Sequence, residues 1–109
     1  MKKNNLEKAK VLDLVLLIDY SKESIVSKTL LNNKCGTLTL FAFDIGQGLS
    51  EHTAPFDAVV QILEGEAMVY IRGKSNKVRA NQMIIMPANI PHALKAKKRF
   101  KMLLSMIRS

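Results

Sequence analysis

The segment Gly48-Leu49-Ser50-Glu51-His52-Thr53-Ala54-Pro55-Phe56-Asp57-Ala58-Val59-Val60-Gln61-Ile62-Leu63-Glu64-Gly65 decides how this chain is read. Val59 to Leu63 is a short β-branched and aliphatic run closed by the turn residues Glu64-Gly65-Glu66, the pattern of a buried strand. Just ahead of it, before the break at Pro55, stands His52. The only other histidine, His92, lies in Met86-Pro87-Ala88-Asn89-Ile90-Pro91-His92-Ala93. If the two imidazoles converge inside a small barrel, they make a metal or proton-transfer site. If they do not, they are ordinary surface residues.

The same pattern extends outward in both directions. Ile25 to Leu30 reads as a strand ending at Asn32-Asn33. Thr37 to Phe43 alternates and stops at Asp44-Ile45-Gly46. Ala67 to Ile71 ends at Gly73, Asn76 to Arg79 resumes, Met83 to Met86 runs into Pro87, and His92 to Lys95 and Phe100 to Ile107 complete the series. Short strands at regular spacing with turn chemistry between them predict an all-β sandwich or barrel. The three prolines, Pro55, Pro87 and Pro91, fall at strand ends or connections, where the missing N–H does no harm. Val11 to Tyr20 predicts an irregular segment with one helical turn near Leu14 to Ile18.

At 109 residues there is room for one domain. A hydrophobic fraction of 48% excludes disorder, and with no Trp the six Met and the aliphatic residues must fill the core. The net charge of +8 raises the question of nucleic acid. Yet the densest basic patch, Lys95, Lys97, Lys98, Arg99 and Lys101, has only Phe100 as an aromatic neighbour. That composition predicts a solvated face, and no nucleic-acid partner is expected. Cys35 is the single cysteine, which excludes an internal disulfide or a multi-Cys zinc site and fits a reducing compartment. The apolar run Leu14 to Ile18 is too short to span a bilayer or to act as a secretory leader, so a cytoplasmic protein with no membrane partner is expected.

Together these motifs resemble the cupin superfamily, in particular small single-domain cupins of the cupin 2 type. The first family motif corresponds to Gly48 through Gly65, the second to Asn81 through about Ala96, and the resemblance covers about residues 36 to 105. It implies a double-stranded β-helix, the cupin or jelly-roll barrel, over residues 25–109, with residues 1–24 as an N-terminal extension and candidate dimer contact. In metal-binding members of the family two histidines, a glutamate and a further histidine are ligands. His52 and His92 match the first and last of these; Ala54 and Ala58 stand at the other two positions. Asn81 and Asn89 replace motif-two glycines, and Asn tolerates a left-handed backbone.

The resemblance thus implies a site with His52 and His92 side by side. They are candidate ligands of a divalent transition metal (Zn, Ni, Mn or Fe), or hydrogen-bonding groups of a metal-free pocket. Strand parity places His52, Ala54 and Ala58 on the barrel side with Val60 and Ile62, and turns Gln61 and Asp57 away. The alanines leave space, so a small-molecule cavity lined by Phe41, Phe43, His52, Ala54, Ala58, Ile62, Met83, Ile85 and His92 is expected. A ligand-binding module and a metal-dependent enzyme of dioxygenase, isomerase or decarboxylase type both remain open, since one barrel hosts many chemistries. The edge strands of such a barrel, together with the segment Val11 to Leu30, lead to the expectation of a homodimer.

Overall fold

A computed structural model describes residues 8–108 of the chain. It contains eight strands: β1 (Ile25–Asn33), β2 (Gly36–Phe43), β3 (Gly48–His52), β4 (Asp57–Ile71), β5 (Lys74–Arg79), β6 (Met83–Met86), β7 (His92–Lys95) and β8 (Phe100–Ile107). Every pairing is antiparallel. Five strands form one sheet in the order β1-β2-β8-β4-β6, and the far half of β4 continues into a second sheet, β5-β4-β7-β3. The fold is therefore the double-stranded β-helix of a cupin, as the motifs imply.

Strand β4 joins the two sheets, and here the structure corrects the sequence reading. Val59–Leu63 and Ala67–Ile71 are not two strands separated by a turn; they are one 15-residue strand, bent at Glu64-Gly65. The register against β8 slips between Ile62 and Glu64, a bulge that sharpens the bend. Gly65 has φ +80°, and a Cβ there would collide with the Arg99 carbonyl oxygen. Turn chemistry at 64–66 thus redirects a strand without ending it. The hairpin from β4 to β5 turns through Arg72 and Gly73, both at positive φ (55° and 78°), as a two-residue hairpin of matching twist requires.

Alternation sorts the side chains. Ala58, Val60, Ile62, Ala67 and Val69 of β4 point between the sheets, where they pack with Phe43, Val78, Met86, Leu94, Phe100 and Met102 in one buried cluster. The Phe43 and Phe100 rings stack 4.5 Å apart at its centre. A second cluster lies on the outer face of the five-stranded sheet. There Ile18, Leu30, Leu40 and Ala42 are buried under the N-terminal segment, with Leu14, Leu17 and Tyr20 packed alongside. The expected helical turn is present as a 3₁₀ turn at Leu14–Leu17. The extension therefore covers its own barrel, and the part formed by residues 1–7 lies outside the described residues.

Polar contacts hold that cover in place. The Tyr20 hydroxyl donates to Glu64 (2.6 Å), and the Arg99 guanidinium stands 4.3 Å over the Tyr20 ring. Buried Lys101 donates to the Val15 carbonyl (2.7 Å). Arg99 also pairs with Asp44 (2.8 Å), whose other oxygen accepts from the Glu23 N–H (2.8 Å). Burial and the bond to Glu64 raise the Tyr20 pKa above its ordinary value. The Arg99 guanidinium, helped by the Glu23 N–H, holds the Asp44 carboxyl below the usual range.

Candidate functional site

His52 ends β3 and His92 begins β7, and the two are directly paired across the ladder. Opposite residues in an antiparallel pair share a face, so both rings lie on one side of the sheet. That side is the interior: Leu94 pairs with inward-facing Val69, and His92 with Ile71. Leu49 and His52 are three residues apart, which in a regular strand would put them on opposite faces. A register shift between them inserts one extra residue into β3 and returns His52 to the side of Leu49. The ring centroids are 4.4 Å apart at 72°.

Each imidazole is oriented by a local carbonyl. His52 Nδ1 lies 2.7 Å from the Ser50 carbonyl oxygen and His92 Nδ1 lies 3.1 Å from that of Ile90. The two Nε2 atoms face each other at 3.2 Å. These are three polar contacts in series, and each needs one proton. Carbonyl oxygens only accept, and a neutral imidazole carries one N–H. Two neutral rings thus bring two protons to three contacts. With both protons on Nδ1, the Nε2 lone pairs meet with nothing between them. The arrangement lacks one electropositive atom. An extra proton is disfavoured, because burial and the neighbouring His52 charge push the His92 pKa below its ordinary value, against the opposing bond to Ile90. His92 is only 4% exposed, whereas His52 is exposed and opens the pair to solvent.

The turns behind the rings are tied together. Asn89 donates its N–H to the Ala54 carbonyl (2.7 Å), and the Arg72 N–H donates to the Pro91 carbonyl (2.9 Å). Asp57 accepts from the Ala88 N–H (2.8 Å), so this carboxylate builds the turn and does not supplement the histidines. Asn81 and Asn89 sit at φ 72° and 64°, the left-handed conformation expected of residues in glycine positions. The backbone carbonyls of Ser50 and Ile90, which set the ring orientations, carry no side-chain signal in a sequence.

The other expected lining residues divide into two groups. Phe43, Ala58 and Ile62 are buried in the interior cluster with Phe41 packed against it, and Ala54 is half-buried in the loop before β4. Met83 and Ile85 are not in the interior. They pair with Gln61 and Val59 on β4, whose side chains face outward, and are 54% and 51% exposed. The inward positions of β6 belong to Ile84 and Met86. Parity read across Pro55 also fails as a reason for His52, because residues 53–56 are not in a strand; the bulge and the ladder place that ring.

A resident metal needs donor atoms at a fixed separation. Two imidazole nitrogens each about 2.1 Å from one ion, at an angle of about 100°, lie about 3.2 Å apart, as the Nε2 atoms do. The pair therefore fits two corners of a metal shell. No cluster of three or more His, Cys, Asp or Glu occurs among the described residues, so their carboxylates, thiol and imidazoles do not complete one.

The fold and this site define a small cupin of the cupin 2 type. Residues 35–104 match the family of AraC-like ligand-binding domains, and the chain belongs to that family. It is 40% identical to a conserved protein of unknown function from Streptococcus pyogenes, covering 97% of this chain and 93% of that one with a TM-score of 0.91. A cupin 2 conserved barrel domain protein from Leptotrichia buccalis is 38% identical with a TM-score of 0.87; the match covers 89% of this chain and 47% of that one, about half its length. A cupin superfamily protein from Desulfitobacterium hafniense is 29% identical over 98% and 97% of the two chains, with a TM-score of 0.89. No curated protein matches the chain. Among the described residues no helix is long and apolar enough to cross a membrane.

Proposed function

We propose that the protein binds a small polar molecule at the His52–His92 pair, through a hydroxyl or N–H group of the ligand that donates to the two Nε2 atoms. One observation carries this reading: three polar contacts in series are served by only two protons. A donor from a ligand supplies the missing atom without placing a charge beside buried His92. Supporting it, the family is one of ligand-binding domains, and the exposed His52 opens the pair to solvent. A reducing, cytoplasmic setting suits exposed, unpaired Cys35.

The experiment is a thermal-shift screen of polyols, sugars, amides and hydroxy acids on the chelator-treated protein, because a compound that binds only the native state raises Tm. At least one donor-bearing compound is expected to raise Tm in the wild type and to have no effect on His52→Ala or His92→Ala. Equal shifts in all three proteins would place the ligand elsewhere.

The Nε2 separation favours a second reading, a metal-dependent enzyme in which His52 and His92 are the protein ligands and water or substrate completes the shell. A divalent metal there would act as a Lewis acid toward a bound oxygen. Two ligands hold a metal weakly compared with a full set. About one metal per chain in the purified protein, lost in His92→Ala, would establish this reading. Metal content unchanged by that substitution would remove it.

A further inference from the structure

The register of β1 against β2 slips between Thr29 and Leu31. In a regular strand Leu30 and Leu31 would point to opposite faces. The bulge sets two residues of β1 against one of β2. Leu30 is buried in the outer cluster, and Leu31 stands opposite Leu38, which packs against that cluster. Both leucines of β1 therefore lie on the outer face of the sheet. With Leu38 and with Leu12 of the N-terminal segment they wall a cleft of about 280 Å³. Leu12 and Leu31 are each 38% exposed, so the cleft is open to water. Exposed Lys8 and Lys10 also line it, and the chain bends between them at Ala9, whose φ is 64°. None of the described residues that line the cleft is acidic.

We propose that this cleft binds an amphiphilic anion: an unbranched acyl chain ending in a carboxylate, with the chain against the four leucines and the carboxylate held by Lys8 and Lys10. Walls and rim together select that occupant. The walls are aliphatic, and burying methylenes against them removes apolar surface from water. The volume has room for about nine groups of about 30 Å³ each, the share of one water in the liquid, which is a chain of medium length. The rim supplies the charge complement. A lysine carries its ammonium on a flexible apolar stem, which follows an apolar wall while the head stays in water. Two such heads, with no carboxylate among the lining residues, favour a negative group at the mouth. A neutral apolar chain would leave that charge unmatched, and a small polar anion would leave the leucines wet. A mostly apolar hollow with a few polar groups at one end is the usual form of a small-molecule site. The cleft is separate from the His52–His92 pair, whose rings lie on the interior side of the other sheet.

Titration of the full chain with sodium octanoate, followed by calorimetry and by methyl NMR, tests this. Octanoate is expected to bind with a Kd of about 1 mM or below, and to shift the methyl resonances of Leu12, Leu30, Leu31 and Leu38 but not that of interior Leu94. 1-Octanol has the chain without the charge, and acetate the charge without the chain; each is expected to bind at least about 5-fold more weakly. Lys8→Glu with Lys10→Glu reverses the rim and should weaken octanoate binding at least about 10-fold. Both sites are exposed, so this variant should keep the wild-type fold. Leu31→Asp, a charge on the wall, should do the same to binding. Lys97→Glu with Lys98→Glu, an equal change of charge in the turn before β8, should leave binding intact. An absence of saturable binding, or binding unchanged in the Lys8 and Lys10 variant, would overturn the proposal. Cleft methyls that respond to dilution of the protein and not to octanoate would assign the cleft to a second copy. Octanoate binding only in a chain lacking residues 1–7 would assign it to the chain's own terminus. Either outcome overturns the proposal equally.

Discussion

His52 and Gly65 show two kinds of constraint at the scale of a residue. Gly65 is held by its backbone: φ is +80° and the Arg99 carbonyl occupies the space of a side chain. Gly65→Ala should therefore lose several kcal/mol in urea unfolding, combining left-handed strain with a backbone clash. A loss under about 1 kcal/mol would mean that the bend in β4 does not need this geometry. His52 is the opposite case. It is exposed and its Nε2 meets the Nε2 of His92 at 3.2 Å with one proton too few. Removing it relieves a lone-pair contact, so His52→Ala should leave unfolding stability within about 0.5 kcal/mol of wild type or raise it, while abolishing ligand response. A loss of more than about 1 kcal/mol would indicate a formed hydrogen bond between the rings.

At the scale of elements, the N-terminal segment behaves as a cover strapped to the outer sheet. Ile18 is 4% exposed in the outer cluster, and Ile18→Ala should cost about 2–4 kcal/mol in chemical denaturation. The Asp44–Arg99 strap adds a pH signature. The folded-state pKa of Asp44 is depressed by Arg99, so its stabilisation is present above the unfolded value of about 3.9 and is lost as pH falls through the folded value. Asp44→Asn should flatten the fall in stability below about pH 4; an unchanged acid slope would show that the strap is not formed in solution. Much of this level was legible in the residues. Alternation and turn chemistry located strands in the right places, and the paired motifs identified the barrel. The joining of two runs into β4 was hidden, because a Glu-Gly turn signal looks the same whether a strand ends or bends. The outward placement of Met83 and Ile85 was hidden too. An unbroken apolar run such as Met83-Ile84-Ile85-Met86 has no alternation to show which residues face in, and the register to Val59 and Gln61 alone decides it. The convergence of the histidines followed from the motifs, but the bulge that turns His52 inward and the two carbonyls that orient the rings did not.

At the scale of the whole molecule, the barrel holds the two rings with their Nε2 atoms 3.2 Å apart, and the proposed function supplies a ligand atom to that contact. Its interior is filled by Phe43, Phe100, Ile62 and Met102, all 0% exposed, so chemistry is confined to the rim where His52 meets solvent. The account stands on how protons are distributed over the four imidazole nitrogens. A ¹⁵N spectrum of the ligand-free, chelator-treated protein at about pH 7.5 reads that distribution directly. The prediction is a proton on Nδ1 of both rings and bare Nε2 atoms, with the Nε2 resonances alone shifting when a donor ligand is added. A proton on Nε2 of either ring, or an imidazolium at that pH, would contradict it.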